Sequence, residues 1–390
     1  MREHQKKTPH SRAVRRPGRR GLQRGLFRAE SQNLARRLSD TPANQMTPLH
    51  FAQETVNELC PCGIKVQVHD KDWIEQKKFS AFLTVARGSC EPPVVLEISY
   101  CGGPNDQKPI LFCGKGITFD SGGLCLKKCK HMDVYKADMC GAAAIISAIR
   151  AASALSLPLN IEAVIPLCEN MPSGMAMKCG DVVMGMNGKS IMITDTDNEG
   201  RLALADAMVY GQNMYKPRLV IDVASLTPGV RSALGSAASG VFSNSQTMWS
   251  QVPKFAFFIV YHKCLIPGEE GGGDHGRQGV ASALGWEILL EEGDSVQIAR
   301  REQQGHPGRV RLVWAAAFLN EFITCVDWIH FDITGVGFRS NHKVVPYLTK
   351  GRMTGRPTRT LIQLLYQLSC PSKAKENYEF FRNPFLLYGI

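Results

Sequence analysis

Apolar positions along the chain fall into short runs typical of buried strands and longer runs with helical spacing. The short runs predict strands at 64–68, 94–100, 110–113, 161–165 and 219–223. The helical spacing predicts helices at 32–38, 51–59, 138–155 and 201–213. Because strands and helices alternate, we predict an α/β fold, with a mixed, mostly parallel β-sheet flanked by helices on both faces.

A glycine-rich segment at 114–123 directly follows one predicted strand. It contains Lys115 and Asp120 among four glycines, which permit tight turns and close approach of the backbone to a bound group. A phosphate-binding loop is the alternative, but the order of Gly, Lys and Ser/Thr does not fit the P-loop pattern. Charged side chains that follow strands lie where open α/β sheets place their sites.

A second segment, 195–201, carries three carboxylates at alternate positions, followed by an arginine. Like charges this close repel one another, and burying one of them unpaired costs several kcal/mol. A hard divalent cation is the usual remedy. Taken alone, the segment also fits a solvated acidic helix entry, stabilised by the positive end of the helix dipole.

Three motifs together resemble the cytosol-type leucyl aminopeptidases, a dinuclear metallopeptidase family. Residues 114–123 match the family sequence G-K-G-I-T-F-D-S-G-G in full, and residues 195–202 match N-T-D-A-E-G-R-L with two substitutions. A third family stretch is matched by residues 166–174. The resemblance implies the catalytic domain of that family.

The resemblance also implies the metal ligands. Two divalent ions are expected on Lys115, Asp120, Asp138, Asp197 and Glu199, with Asp120 and Glu199 bridging both ions and Lys115 binding as a neutral amine. Adjacent cations favour that neutral form by depressing the amine pKa. The implied ions are Zn²⁺, with Mn²⁺ or Mg²⁺ as alternatives at the second site. Taken singly, Lys127 and Asp138 are more typical of surface ion pairs than of site residues.

Lys127 and Arg201 match the family's catalytic residues. The implied reaction is the release of N-terminal amino acids from peptides by a water molecule that two metals activate. Lys127 would stabilise the developing oxyanion, and Arg201 would hold a bicarbonate that acts as general base.

The substrate side departs from the family. Pro228 replaces a glycine of the family and has no N–H to donate, so one backbone hydrogen bond to the substrate would be lost. The positions that resemble the specificity pocket are more polar than a leucine-preferring pocket suggests, which leaves the side-chain preference open. They are Tyr135, Ser225, Thr334 and Gly337.

Length and composition agree with a globular enzyme. A chain of 390 residues with 44% hydrophobic residues suits one large α/β domain or two ordinary ones. We find neither an apolar run long enough for a membrane span nor a signal peptide, and expect no membrane partner. Thirteen cysteines without regular spacing indicate free thiols in a reducing compartment, so we expect a cytoplasmic protein.

The net charge of +11 is concentrated at the N-terminus. Residues 1–28 hold ten Lys/Arg and one acidic residue, which leaves only +2 for the remainder. We predict a basic, disordered tail at 1–29. It is a candidate for non-specific binding to nucleic acid phosphates or for an Arg-rich mitochondrial leader, and a tail without a role is an equal alternative.

The resemblance gives a catalytic domain at 30–376, a C-terminal extension at 377–390, and almost nothing of the family's N-terminal domain. It breaks at 254–313, a divergent segment that we interpret as a misjoined insert. Peptide substrates and a homo-oligomer, the family's hexamer, are implied as partners. The alternative function is a catalytically impaired relative with a structural or nucleic-acid-binding role.

Overall fold

A computed structural model describes residues 19–236, 238–251, 259–262, 295–296, 314–338 and 349–369. Its helices are α1 Arg19–Asp40, α2 Pro48–Leu59, α3 Lys71–Gln76, α4 Ser80–Ala86, α5 Cys140–Ala154, α6 Gly200–Tyr215, α7 Pro228–Leu234, α8 Gln246–Gln251, α9 Trp314–Asn320 and α10 Thr358–Ser369. Its strands are β1 Lys65–His69, β2 Val94–Cys101, β3 Ile110–Gly114, β4 Gly116–Asp120, β5 Asn160–Asn170, β6 Val182–Met184, β7 Ser190–Met192, β8 Leu219–Ala224, β9 Gly240–Ser243, β10 Ile259–His262, β11 Ser295–Val296 and β12 Asp327–Asp332.

The main sheet has the strand order β1-β2-β5-β3-β8-β12-β9-β10, with β4 paired to β5. The central pairs β5/β3, β3/β8 and β8/β12 are parallel, as are β4/β5 and β9/β10. The pairs β1/β2, β2/β5 and β9/β12 are antiparallel. A smaller sheet has the order β11-β7-β6. The predicted mixed, mostly parallel sheet is confirmed, and β5 extends five residues beyond the predicted strand end.

Helices cover both faces of this sheet. Along β3, Ile110 and Phe112 belong to the core beneath α1, α2, α5 and α10. Leu111 and Cys113 belong to the core beneath α4, α6 and α9. Because side chains alternate between faces along a strand, a strand buried on both sides must be apolar throughout. That requirement accounts for the uninterrupted run Ile110–Cys113.

Helix α5 lies unusually close to the sheet because its first turns carry small residues. A Cβ on Gly141 would lie 2.1 Å from the carbonyl oxygen of Val223 in β8. Within the described residues, one helical stretch, Met132–Ala154, is long and apolar enough to cross a membrane, but 83% of its apolar window is buried in the protein. The stretch that contains α5 is therefore a core segment.

The N-terminal region differs from the expectation. Helix α1 already begins at Arg19, so the prediction of a disordered tail at 1–29 is wrong for 19–29. The early turns are held by the C-terminal helix α10, where Arg28 Nη2 donates to Gln363 Oε1 at 2.6 Å and Arg24 lies 5.2 Å from the centroid of the Tyr366 ring. Because these partners are more than 300 residues away, the local pattern did not reveal the helix.

Several expectations lie largely or wholly outside the described residues. Residues 1–18 and 377–390 are not described, and only 259–262 and 295–296 are described in the interior of the divergent segment at 254–313. The predicted disorder of residues 1–18, the C-terminal extension at 377–390 and the interpretation of the divergent segment as misjoined stay predictions.

The carboxyl group of Glu162 on β5 provides a pH test of the fold. Burial raises its pKa to about 7, although Ser99 Oγ donates to its Oε2 at 2.5 Å. A raised carboxyl pKa means that the folded state favours the protonated form, so its stabilising contribution is complete below the unfolded pKa and is lost as pH rises through 7. Between pH 5 and 8, we expect the wild-type Tm to fall by about 2–4 °C more than the Tm of Glu162→Gln. Parallel Tm curves in thermal denaturation would contradict this.

Candidate metal centre

The site lies at the carboxyl ends of the central strands. Lys115 sits between β3 and β4, where its N–H donates to the Val223 carbonyl at 3.1 Å and its own carbonyl accepts from the Ala142 N–H at 3.1 Å. Asp120 is the last residue of β4. The sheet and the start of α5 therefore fix the backbone of both residues, as the strand–site relation in open α/β sheets predicts.

Asp120 is oriented by two donors to one of its oxygens. Its Oδ1 accepts from the Gly122 N–H at 2.8 Å and from Asn170 Nδ2 at 2.8 Å. Asn170, at the end of β5, also donates to the Thr196 carbonyl at 3.0 Å. Sequence reasoning did not assign a role to Asn170, although its place at a strand end within the matched stretch 166–174 was the available signal.

The three acidic residues of the segment 195–201 do not share one role. Asp195 is exposed and caps a 3₁₀ turn at Thr196–Asn198 by accepting from the Asp197 N–H at 3.0 Å. Asp197 and Glu199 instead join Asp120, and one ligand oxygen from each lies within 4.8 Å of the others. The acidic helix-entry interpretation thus suits Asp195, and the metal-ligand interpretation suits the other two.

Lys115 lies among the deeply buried carboxylates. Its Nζ is 2.5 Å from Asp138 Oδ2 and 2.8 Å from Glu199 Oε1, and it donates to the Ser225 carbonyl at 3.0 Å. Ser225 Oγ donates to Asp138 Oδ1 at 2.6 Å. Ser225 therefore holds both Lys115 and Asp138, a contact different from the specificity-pocket position that the resemblance implied.

Lys127 contacts the remaining two acids. Its Nζ lies 2.7 Å from Asp120 Oδ2 and also forms an ion pair with Asp197. The ammonium group lies 4.0 Å from the centroid of the Tyr135 ring, within cation–π range. The structure thus brings the five predicted ligands and Lys127 into one connected cluster.

The cluster holds more acidic than basic side chains, with four carboxyl groups and two lysines. Burial, followed by the field of Asp120, raises the pKa of Glu199 to about 8 and that of Asp197 to about 6. Glu199 is completely buried, and its Oε2 has no hydrogen-bond partner. An unsatisfied buried acceptor costs about 1–3 kcal/mol. Oxygen-rich, buried and short of counter-charge, this donor set fits divalent cations.

Without added cations, Lys115 acts as a counter-ion. Burial lowers the pKa of its ammonium group, but the carboxylates of Asp138, Glu199 and Asp120 more than offset this and hold the pKa well above its usual value. An amine can ligate a metal only after losing its proton. Cations bound to the same carboxylates would replace the Lys115 charge and favour that loss.

Arg201 lies in the first turn of α6, beside the cluster. Its Nη2 donates to Asn198 Oδ1 at 2.6 Å, while its buried Nε has no hydrogen-bond partner. Burial lowers the pKa of its guanidinium group, against the field of Glu199. A buried cation with an unused donor fits a small anion.

Pro228 occupies the first position of helix α7, after the N-cap residue Thr227. Proline is favoured there because the first helical N–H has no intrahelical partner. The Thr227 N–H donates to Asp332 Oδ2 at 3.1 Å and to Thr334 Oγ1 at 3.1 Å. Pro228 is therefore compatible with the local structure, and Thr334 supports the turn that leads into α7.

The fold and this cluster define an α/β domain with a candidate metal centre at the carboxyl ends of its central strands. A sequence model described as the cytosol aminopeptidase family, catalytic domain, matches residues 33–257 and 290–362. The unmatched gap, 258–289, is shorter than the expected divergent segment at 254–313. The chain belongs to the cytosol aminopeptidase family.

Individual relatives agree with this assignment. The chain is 46% identical over 350 residues to the cytosol aminopeptidase of Bos taurus and 45% identical to that of Homo sapiens. In both comparisons the match covers 89% of this chain but 63% of the relative. Among solved structures, the bottromycin maturation enzyme BotP in complex with Mn is similar, with a TM-score of 0.76, 32% identity, and coverage of 91% of this chain and 73% of that chain.

The close approach of α6 to Lys115 gives a test of the centre. A Cβ on Gly200 would lie 2.3 Å from Lys115 Cε and 2.8 Å from its Nζ. Asp138, Glu199 and the Ser225 carbonyl hold the Lys115 ammonium group in place, so the new methyl group in Gly200→Ala must displace the Lys115 side chain. We expect metal affinity to fall at least about tenfold while the protein stays folded. Metal titration of Gly174→Ala is the control, because nothing lies within 4 Å of a Cβ there; equal affinities would contradict the placement of Lys115.

Proposed function

We propose that this chain is a metal-dependent aminopeptidase that releases N-terminal amino acids from peptides, with two divalent cations activating the attacking water. The observation that supports it most is the single buried cluster containing all five implied ligand residues and Lys127. Family membership points to the same activity. Because the chain spans 63% of the length of its curated relatives, the activity is inferred for the part present here.

Hydrogen bonds from neighbouring residues occupy one carboxylate oxygen of Asp120 and one of Asp138, and leave the other oxygen of each for a metal. Asp120 Oδ1 is occupied by two donors and Asp138 Oδ1 by Ser225, while the two Oδ2 atoms contact only lysine ammonium groups among the described residues. Glu199 Oε2 is free of hydrogen bonds. We assign Asp120, Asp138, Asp197, Glu199 and, once deprotonated, Lys115 as the residues that would hold two divalent cations. Bound Zn²⁺, Mn²⁺ or Mg²⁺ would supply an activated water and polarise the scissile carbonyl.

Lys127 is assigned to the reaction and not to metal binding. Burial lowers the pKa of its ammonium group, but the fields of Asp120 and Glu199 outweigh this and raise the pKa above its usual value. Without cations the group is therefore charged at neutral pH. We assign it the role of donating to the oxyanion that forms on the substrate. The Tyr135 ring, 4.0 Å away, restricts its position.

Arg201 is assigned to anion binding. Its unpartnered Nε and its burial suit a bicarbonate ion held close to the metal ligands, where the anion would accept the proton of the attacking water. This assignment follows the resemblance, and the geometry of the guanidinium group supports it.

The wider context follows from the relatives. We place the protein in the cytoplasm, in keeping with their names, and propose a homo-oligomer of the family type acting on peptides. The mitochondrial alternative and nucleic acid binding both depend on the basic tail, most of which lies outside the described residues. No comparison supports the alternative of a catalytically impaired relative, and one of its arguments, Pro228, fits the start of α7 without loss of structure.

Metal dependence tests the activity directly. We expect purified protein, stripped by a chelator and dialysed against Zn²⁺ or Mn²⁺, to bind about two ions per chain and to release leucine from leucyl amide. Asp120→Asn should remain folded and lose most of both properties, because it removes the charge of a proposed metal ligand. Folded wild-type protein that binds neither ion would refute the proposal. Salt-sensitive DNA binding without hydrolysis would favour the alternative role.

Lys127 and its neighbour allow a matched pair of variants. Lys127→Met removes the charge and keeps the chain length, so we expect kcat to fall about 10²–10³-fold with metal content unchanged. Lys128→Met alters the adjacent, exposed lysine and should keep wild-type kcat. Loss of metal from Lys127→Met would show that this lysine supports the ligands and would contradict the assignment.

A further inference from the structure

Two cysteines meet beside the metal centre without being part of it. Cys125 Sγ and Cys179 Sγ are 3.4 Å apart and share a thiol hydrogen bond. They are 54 residues apart in sequence, Cys125 in the loop after β4 and Cys179 in the turn between β5 and β6. Within the described residues, no other two cysteine thiols form a sulfur–sulfur hydrogen bond.

The backbone holds both thiols in this position. The Cys125 N–H donates to Thr196 Oγ1 at 2.8 Å, and the same hydroxyl donates to the Gly122 carbonyl at 2.7 Å. Next to Cys179, the Gly180 N–H donates to the Ile193 carbonyl at 2.7 Å. Thr196 is completely buried. Backbone hydrogen bonds at Cys125 and next to Cys179 therefore hold the two sulfurs close together.

Solvent reaches this pair, which distinguishes it from the thiols of the core. Cys179 is exposed and Cys125 half-buried, whereas Cys113, Cys140 and Cys168 are buried. Exposure allows a soluble disulfide to react first at Cys179. Cys125, already within hydrogen-bond distance, can then resolve the mixed disulfide.

We propose that Cys125 and Cys179 form a reversible intramolecular disulfide by exchange with glutathione disulfide. The Cys179 thiolate attacks one sulfur of glutathione disulfide, forming a mixed disulfide and releasing one glutathione. The Cys125 thiolate then attacks the Cys179 sulfur and releases the second glutathione. The two protein thiols lose two electrons and two protons, and the glutathione disulfide is reduced to two thiols. Excess reduced glutathione reverses both steps.

The consequence for the centre follows from the position of Cys125. Lys127 lies two residues further along the same loop, and its N–H donates to the Ser121 carbonyl at 2.9 Å. A disulfide bond is about 2.05 Å long, so the sulfurs must approach by more than 1 Å. That approach draws the loop toward the turn and moves the Lys127 ammonium relative to Asp120 and Asp197. Oxidation would thereby lower turnover without removing a metal ligand.

The first measurement concerns the disulfide alone and does not depend on the proposed function. Full-length protein is equilibrated with glutathione disulfide and glutathione at varied ratios near pH 8.5, because the shared hydrogen bond raises the pKa of the Cys179 thiol. Peptide mapping by mass spectrometry should find the 125–179 link in the wild type. Separate glutathione adducts on Cys125 or Cys179, with no link at any ratio, would overturn the proposal.

Matched variants give the second measurement. Cys125→Ser and Cys179→Ser should each retain a glutathione adduct at the remaining cysteine of the pair. Cys129→Ser, which changes an exposed cysteine on the same loop, should form the link as the wild type does. If Cys129→Ser formed the 125–179 disulfide at less than half the wild-type yield, the disulfide would not be specific to Cys125 and Cys179, which would contradict the proposal.

The effect on turnover rests on the proposed function. Fully linked wild-type protein should keep its metal and lose turnover, by as much as about 10²-fold for a displacement on the order of 1 Å. Excess glutathione should restore it, and Cys125→Ser, in which only the exposed Cys179 of the pair can carry an adduct, should be insensitive to the same treatment. Unchanged turnover in fully linked protein would overturn the control of Lys127. Inactivity of the reduced protein would count against the proposed function and leave the mapped disulfide intact.

Discussion

The structure of this domain depends on keeping four carboxylates and two lysines together at the carboxyl ends of the central strands of a buried sheet. Burial, followed by the field of Asp120, raises the pKa values of Asp197 and Glu199 above the usual carboxyl range. Two ammonium groups offset part of the repulsion. The remaining negative charge supports the proposed binding of divalent cations, and it requires the surrounding backbone to resist relaxation.

That resistance comes from polar residues that have no direct part in the chemistry. Asn170 joins Asp120 to the segment after Thr196, and Ser225 holds both Lys115 and Asp138. Each of them uses one oxygen of a carboxylate and leaves the other directed to the centre. The proposed ligands are therefore oriented without a bound ion, which would lower the ordering cost of binding.

Apolar runs in the sequence predicted the α/β class and the central strands, because buried strands leave a local pattern. The proposed ligand set came from the resemblance to a known family, whose motifs are short enough to match in sequence. The start of α1 could not be predicted in this way, because Arg24 and Arg28 gain their partners only when α10 is in place. Asn170 and Ser225 were not recognised as support for the ligands, since a hydrogen bond across 50 or 87 residues has no periodicity. The contact between Cys125 and Cys179 is likewise a product of the tertiary fold.

Helix α1 also binds the segment just before α10. Gln32 Nε2 and Arg36 Nε both donate to the Thr354 carbonyl, at 2.9 Å and 3.0 Å, and a Cβ on Gly355 would lie 2.5 Å from the Gln32 carbonyl oxygen. During synthesis on the ribosome, α1 emerges more than 300 residues before these partners exist. This part of the core can be completed only after residues 354–369 have been translated, so the nascent chain exposes an unfinished apolar surface on α1 until then.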